Sequence, residues 1–334
     1  MIARASRMLV AVACAALTWS LAVAAHAEFP SFVHVVREGE TLASIAQRYY
    51  GDPRREGVLV AENGLEAQGG AAIVVGMRLV IPQVAYHRVS AGETWAMIAE
   101  RTYGDVRRAY AIVEANPAVE SSQPPEGAEL LLPYPLRHVA DQRDTLNRVA
   151  QLYFDDTSAS RTLRRFNFLR RTQLTRGQVI LVPLPNLTLS PEGRRIVADA
   201  TGVVPNGGEV RALQERIGAE LPALQEHVRA GRYTETIALG NRLLGAGELT
   251  GNQVVTIERS LAVAYVALGR EDLAIAAFLE AMRHQPDFEL DTRRTSPTVL
   301  HALEAARAER DRAAAGAQAD DAGTTDADAG TAQP

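Results

Sequence analysis

One pattern occurs three times in this 334-residue chain, at a spacing near fifty residues. His34, His87 and His138 recur at steps of 53 and 51. Gly39-Glu40-Thr41-Leu42 returns in the same register as Gly92-Glu93-Thr94-Trp95 and then as Arg143-Asp144-Thr145-Leu146. Tyr50-Gly51-Asp52, Tyr103-Gly104-Asp105 and Phe154-Asp155-Asp156 keep step, as do Asn63, Asn116 and Asn167. Each copy closes on a glycine followed by an apolar run and a proline, from Gly76 to Pro82, Gly127 to Pro133 and Gly177 to Pro183. Repetition at this period means that each copy is one small supersecondary unit stacked on its neighbours. A unit this small, with no disulfide or metal, buries only a limited core.

Within each copy the order reads strand, helix, helix, strand. His34-Val35-Val36 and His87-Arg88-Val89 are short β-type runs. The threonine at 41, 94 or 145 is a good helix N-cap, because its hydroxyl accepts from an otherwise unpaired N–H of the first turn. Leu42, Ile45, Ala46 and Tyr49 then fall on one helical face. A second helix ends near the shared asparagine, and the proline-terminated run forms the last strand. The units are expected at 33–83, 86–134 and 137–185, with four-residue joints at 83–86 and 134–137.

The run Val36-Arg37-Glu38-Gly39-Glu40-Thr41-Leu42-Ala43-Ser44-Ile45-Ala46, followed by Tyr50-Gly51, Asn63 and Ile73 through Pro82, resembles the lysin-motif (LysM) family. The second copy is similar. The third departs, with Arg143 at the glycine position and Phe154-Asp155 at the Tyr-Gly position. The resemblance spans 33–185 and implies three tandem β-α-α-β units that bind N-acetylglucosamine polymers, either peptidoglycan or chitin. It places the ligand in a shallow groove between two loops. In the first unit these carry Gly39, Glu40, Thr41 and Leu42, facing Asn63, Gly64, Leu65 and Ile73. In the second they carry Gly92, Glu93, Thr94 and Trp95, facing Asn116, Pro117 and Ala118. Loop backbone groups can pair with an acetamido group while apolar side chains cover a sugar face, and glycine allows close approach.

Each of these residues also has a structural reading. The threonines cap helices, and the asparagines either hold a left-handed turn or touch ligand. Trp95 is a core residue or a sugar platform. The three histidines start strands in separate units and pack their rings there; no metal site is expected from them. Between residues 137 and 183 lie nine arginines against four aspartates. They form either a solvated helix face or a contact for an anionic polymer or partner.

Residues 186–210 read as a linker. Helical periodicity resumes at 211–310, where Glu258, Leu261, Ala262, Tyr265, Gly269, Ala274, Phe278, Ala281 and Pro286 resemble a tetratricopeptide repeat. Gly231-Arg232-Tyr233 marks a partial upstream copy, and 298–310 would cap the stack. This resemblance implies a helical groove for a protein partner. Residues 313–334 read as a disordered acidic tail. The fold class expected is thus α+β followed by all-α.

The first 27 residues have the parts of a secretory signal: Arg4 and Arg7, an apolar run, and Ala25-His26-Ala27 as the cleavage site. The chain is therefore expected in the periplasm or cell envelope. Cys14, the one cysteine, offers a lipoprotein alternative. After cleavage at 27 no thiol remains for catalysis or disulfides. All 35 basic residues are arginine, which excludes Schiff-base, Ser-x-x-Lys and phosphate-loop lysine chemistry. The net charge of −5 does not suggest nucleic acid, and no later apolar stretch reaches the roughly 18 residues of a membrane span. No Gly-x-Ser-x-Gly or His-Glu-x-x-His occurs. The reading is an exported, non-enzymatic wall-binding protein without cofactor. The alternatives are a wall-lytic hydrolase with an unrecognised catalytic part, or an envelope scaffold whose LysM folds bind nothing.

Overall fold

A computed structural model describes residues 29–65, 73–119, 122–202 and 207–324, with side chains to 315. The expected export signal, Cys14 and the last ten residues lie outside the described residues. Three segments share one order: β1 (Ser31–Val35), α1 (Leu42–Tyr50), α2 (Glu56–Glu62), β2 (Arg78–Pro82); β3 (Ala85–Arg88), α3 (Trp95–Tyr103), α4 (Ala109–Ala115), β4 (Glu129–Leu132); and β5 (Tyr134–Val139), α5 (Leu146–Phe154), α6 (Ser160–Phe166), β6 (Val179–Leu184). In each, first and last strands pair antiparallel as an isolated two-stranded sheet.

Local chemistry fixes these elements. The hydroxyls of Thr41, Thr94 and Thr145 accept from the N–H groups of Ser44, Met97 and Arg148 at 3.1, 3.2 and 3.2 Å, which satisfies one orphan donor per helix. Gly51 and Gly104 end α1 and α3 in the left-handed conformation, and Asp155 takes the same place at φ 56°. The Tyr50 and Tyr103 hydroxyls donate to the carbonyls of Pro82 and Pro133 at 2.7 and 2.8 Å, tying the first helix to the end of the last strand. Phe154 has no hydroxyl to repeat this.

The recurring asparagines clip each unit shut. Asn63 Nδ2 donates to Leu59 O and Val80 O at 2.9 and 3.0 Å, and its Oδ1 accepts from Val80 N–H at 2.7 Å. Asn116 serves Ile112 and Leu131 in the same way, and Asn167 serves Leu163 and Leu181. The served residue sits mid-strand and points its amide group away from the paired strand. The side chain thus acts as a one-residue substitute for a third strand, satisfying groups that would otherwise be buried unpaired. The expected roles, left-handed turn or ligand contact, are both corrected. The asparagine backbones are at φ −95°, −126° and −100°, and both amide atoms are occupied.

The segments do not hang on flexible joints. Strands β3 and β5 begin within the expected four-residue joints, so neighbours pack directly. Val58 of the first segment and Val84 and Leu131 of the second enter one apolar cluster with Leu136, Leu146, Val149 and Leu163 of the third. Arg55 Nη1 donates to Tyr153 O at 2.9 Å, and Tyr110 Oη to Thr162 O at 2.8 Å. Phe166 completes the core of the second segment. The third segment is the keystone of the other two.

The linker expectation is corrected as well. Residues 191–201 form α7 (Pro191–Thr201), capped by Ser190. It docks on the first segment, where Ser190 N–H and Oγ donate to Tyr49 O and Arg48 O at 2.8 and 2.7 Å. Leu189 and Val197 join that segment's core. Gly193 permits the approach, since a Cβ there would lie 2.6 Å from Tyr49 O. Proline and glycine suggested an irregular stretch, but Pro191 occupies the first helical position, where its missing N–H costs nothing.

Helices α8 (Glu209–Arg229), α9 (Tyr233–Leu244), α10 (Gly251–Ala267), α11 (Glu271–His284) and α12 (Pro297–Thr324) make up the rest. Their core joins Ile217, Leu224, Leu243, Ile257, Leu261, Phe278 and Leu303. Helix α12 runs to Thr324, into the stretch expected as disordered tail, because its Ala-rich sequence favours helix. Glu258 is 9% exposed within this core. Burial, then the Glu280 carboxylate, push its acid up to about 7 from 4.5. The fold therefore favours protonated Glu258. Its contribution is full below pH 4.5 and is lost as pH rises through 7. Glu258→Gln is expected to flatten this loss and, after discounting for screening, to raise stability at pH 8 by about 1–2 kcal/mol in urea titrations.

The helical half is built against the second segment. Gln214 (α8) accepts from Glu129 N–H at 3.0 Å and donates to Gly127 O and Glu248 O at 2.8 Å each. The Glu129 carboxylate in turn accepts from Gly208 and Arg211 N–H at 3.0 and 2.9 Å, capping the positive end of α8. Gly207 and Gly208 lie flat against the Tyr86 ring, where a Cβ at 207 would come within 2.2 Å.

Candidate functional site

The candidate groove of each segment lies between the strand–helix loop and the loop that leads to the last strand. In the first two segments the strand–helix loop turns on Gly39 and Gly92, at φ 77° and 72°. A Cβ at either would meet nothing within 4 Å. Glycine is required here by the backbone, and the space above it is open. Thr41 is exposed and Thr94 half-buried, while Leu42 and Ile73 are half-buried. Gly64 is exposed at φ 63°, and Pro117 and Ala118 are exposed. Leu65 is buried and belongs to the core. Residues 66–72 of the first groove lie outside the described residues.

Two expectations change. Trp95 is 7% exposed and packs in the core of the second segment, so it is no sugar platform. Glu40 and Glu93 point inward instead of toward the groove. The Glu40 carboxylate meets His34 Nε2 at 2.7 Å, accepts from Arg37 N–H at 2.8 Å and pairs with Arg48. His34 Nδ1 lies 3.1 Å from the Tyr49 hydroxyl. Burial pushes the Glu40 acid up, but these bonds outweigh it and hold it at about 2. Glu93 repeats the arrangement with His87 at 2.5 Å, Ser90 N–H at 3.1 Å and Arg101 at 2.6 Å, and its acid is likewise held low against burial. Asp144 does so with His138 at 3.1 Å and Asp141 N–H at 2.8 Å. The histidine and the acid six residues later thus pin the loop from beneath. Their joint recurrence in all three copies was the available signal. In the second segment Thr102 stands where Tyr49 and Tyr153 stand in the others, and its hydroxyl is buried with no partner.

In the third segment the two loops meet at the groove. Leu146 N–H donates to Thr172 O at 3.0 Å, and Thr145 bridges Gln173. The two loops are therefore zipped together by their own backbone. Leu146 is fully buried, and Arg143 does not adopt the left-handed backbone of Gly39 and Gly92. In the second segment, a cleft of about 670 Å³ separates Ala118 and Val119 from Arg211, Gly218 and Asn252 of the helical half, which walls one side of that loop.

This strand–helix–helix–strand geometry has a family counterpart: the LysM domain model matches residues 34–82. One LysM domain is present there, a class of fold that points to peptidoglycan or chitin binding. Among curated proteins, the chain is similar to "Esterase MT1326" of Mycobacterium tuberculosis (strain CDC 1551 / Oshkosh) and "Esterase Rv1288" of Mycobacterium tuberculosis (strain ATCC 25618 / H37Rv). Each is 31% identical over 125 residues, which is 37% of this chain and 27% of the relative. The chain thus covers about a quarter of the length of these relatives. No solved structure matches it. No helix among the described residues is long and apolar enough to cross a membrane.

Proposed function

We propose that this chain is an exported, non-enzymatic protein that holds N-acetylglucosamine-containing glycan, peptidoglycan foremost, through two LysM-type grooves. In this reading all three segments are LysM-type units, the third non-binding toward sugar, and the helical half is a tetratricopeptide-like platform for a partner protein. The observation that carries it is the sameness of the first two strand–helix loops. Beside the matched LysM domain, Gly92 reproduces the backbone and open space of Gly39, whereas the third segment has Arg143 at that position, without the left-handed backbone. A single shallow groove binds weakly. Two held in one packed body act at high effective concentration along a strand, which adds roughly 10²–10⁴ in avidity when both engage. The esterase names belong to relatives matched over about a quarter of their length, and the sequence carries no nucleophile-elbow motif of its own.

Sedimentation with insoluble peptidoglycan sacculi and with chitin tests the proposal. The protein is expected in the pellet; recovery in the supernatant with both polymers sinks it, and steady release of soluble fragments refutes the non-enzymatic part. Thr94→Arg blocks the second groove at a cost of about 1 kcal/mol for the lost cap. It is expected to weaken retention about a hundredfold, while Thr94→Asn, which keeps a cap, stays near wild type. Equal retention by both variants would remove that loop from the site.

A further inference from the structure

The cleft between the second segment and the helical half opens on the loop that carries Asn116 and Ala118. Those two residues belong to the candidate sugar groove, so whatever fills the cleft lies close to a sugar held there. We infer that the cleft receives a short peptide borne as a branch on the glycan, read through its main-chain amides. The inference rests on the glycan reading and deepens it, because peptidoglycan carries such branches and chitin carries none.

The lining separates the ligand classes. No aromatic ring lines the cleft, so it lacks the flat platform on which a further ring would stack. Its charged groups are spent on the fold. Arg211 Nε donates to Glu215 at 2.9 Å, and the Glu129 carboxylate accepts from the N–H groups of Gly208 and Arg211. Two acids and one base leave no positive field to draw a polyanion. Much of the remaining wall is Ala118, Val119, Gly218, Ala219 and Leu221, small or aliphatic residues that suit methyl-sized side chains.

Free hydrogen-bonding capacity is left at one place. Gln214 is committed to the junction, and Gln253 Nε2 donates to Gln214 O at 2.6 Å while its Oε1 accepts from Thr250 N–H at 3.1 Å. Asn252, in the first turn of α10, is exposed, and its side-chain amide bonds to nothing among the described residues. An amide offers a donor and an acceptor in one plane, the pair that a peptide unit presents in return. Thr256, one turn on, donates its hydroxyl to Asn252 O at 2.8 Å and keeps its lone pairs. A volume of about 670 Å³ falls within the range of small-ligand sites. A free peptide finds no charge to hold it here. One tethered to a bound sugar arrives at high effective concentration.

The test uses the full chain with four soluble probes: glycan strands bearing their peptide stems, the same strands stripped by an amidase, the released stems, and chito-oligosaccharide. Wild type is expected to hold stem-bearing strands about tenfold more tightly than stripped ones, and free stems more weakly than either. Gly218→Leu fills the cleft; the nearest atom to a Cβ there is Gln253 Nε2 at 3.7 Å, an ordinary contact. Asn252→Ala removes the free amide and breaks no side-chain bond of the fold. Each variant should cancel the preference for stems while melting and the binding of stripped strands and chito-oligosaccharide stay at wild-type values. Equal wild-type affinity for stem-bearing and stripped strands overturns the inference and leaves the glycan reading standing. Binding to none of the glycan probes overturns both. A preference that survives in either folded variant places the stem elsewhere, and free stems bound as tightly as stem-bearing strands would make the cleft a site for independent peptides.

Discussion

Replacing Asn116 with alanine is expected to cost the second segment about 3 kcal/mol, and replacing it with aspartate at least as much. The alanine variant strands Leu131 N–H and O, both buried, and removes a bond to Ile112 O. Unpaired buried backbone groups cost roughly 1–3 kcal/mol each. Aspartate preserves shape and still accepts from Leu131 N–H, yet it sets a carboxylate against two carbonyl oxygens where an amide donated. The ordering is diagnostic, because a residue needed only for a turn would tolerate aspartate well. Urea denaturation followed by tryptophan fluorescence reads it directly, since Trp95 lies in that segment's core.

Gln214→Ala is expected to uncouple the halves. One side chain joins Glu129 N–H of β4 to Gly127 O and to Glu248 O before α10. Leu131 and Glu129 alternate along the outward edge of β4, so Asn116 and Gln214 together complete an edge that no strand covers. Loss of the glutamine leaves these groups poorly paired, worth about 2–4 kcal/mol of local stability. Hydrogen exchange should show the Glu129 amide and the first turns of α8 exchanging roughly a hundredfold faster, with the core of α10 unchanged. Protection that holds at both places would mean that Glu129 capping α8 and Tyr86 against Gly207 suffice to hold the junction.

Much of the repeat was legible in the sequence because its landmarks answer to local rules. The capping threonines, the left-handed glycines at 51 and 104 and the proline-ended strands each follow from backbone geometry within a few residues. Partners distant in sequence were not legible. The role of Asn63 depends on Val80, seventeen positions on, and that of Glu40 on His34 and Arg48 beneath the loop. A polar residue that recurs near a loop reads equally as a turn or a ligand contact, whereas the fold itself consumes the Asn63 amide. Helix α7 escaped for a similar reason: its short apolar face gains meaning only against Tyr49. Two departures of the third copy were legible, Arg143 at the glycine position and Phe154-Asp155 at the Tyr-Gly position.

The asparagine clip also sets a chemical clock. Of the three, only Asn63 precedes a glycine; Pro117 and Phe168 follow the others. Asn-Gly is the dipeptide in which the next backbone nitrogen most easily attacks the side-chain amide, releasing ammonia and leaving aspartate or isoaspartate. In the folded state two carbonyls hold Asn63 Nδ2, and the side chain is not free to reach its own Gly64 nitrogen. Each unfolding event lifts that protection, and the product cannot refasten the clip, since it has no N–H to donate to Val80. Among the three clips, chemical ageing should therefore begin in the first segment and advance with time spent unfolded, making the matched LysM domain the first of the three units to fail.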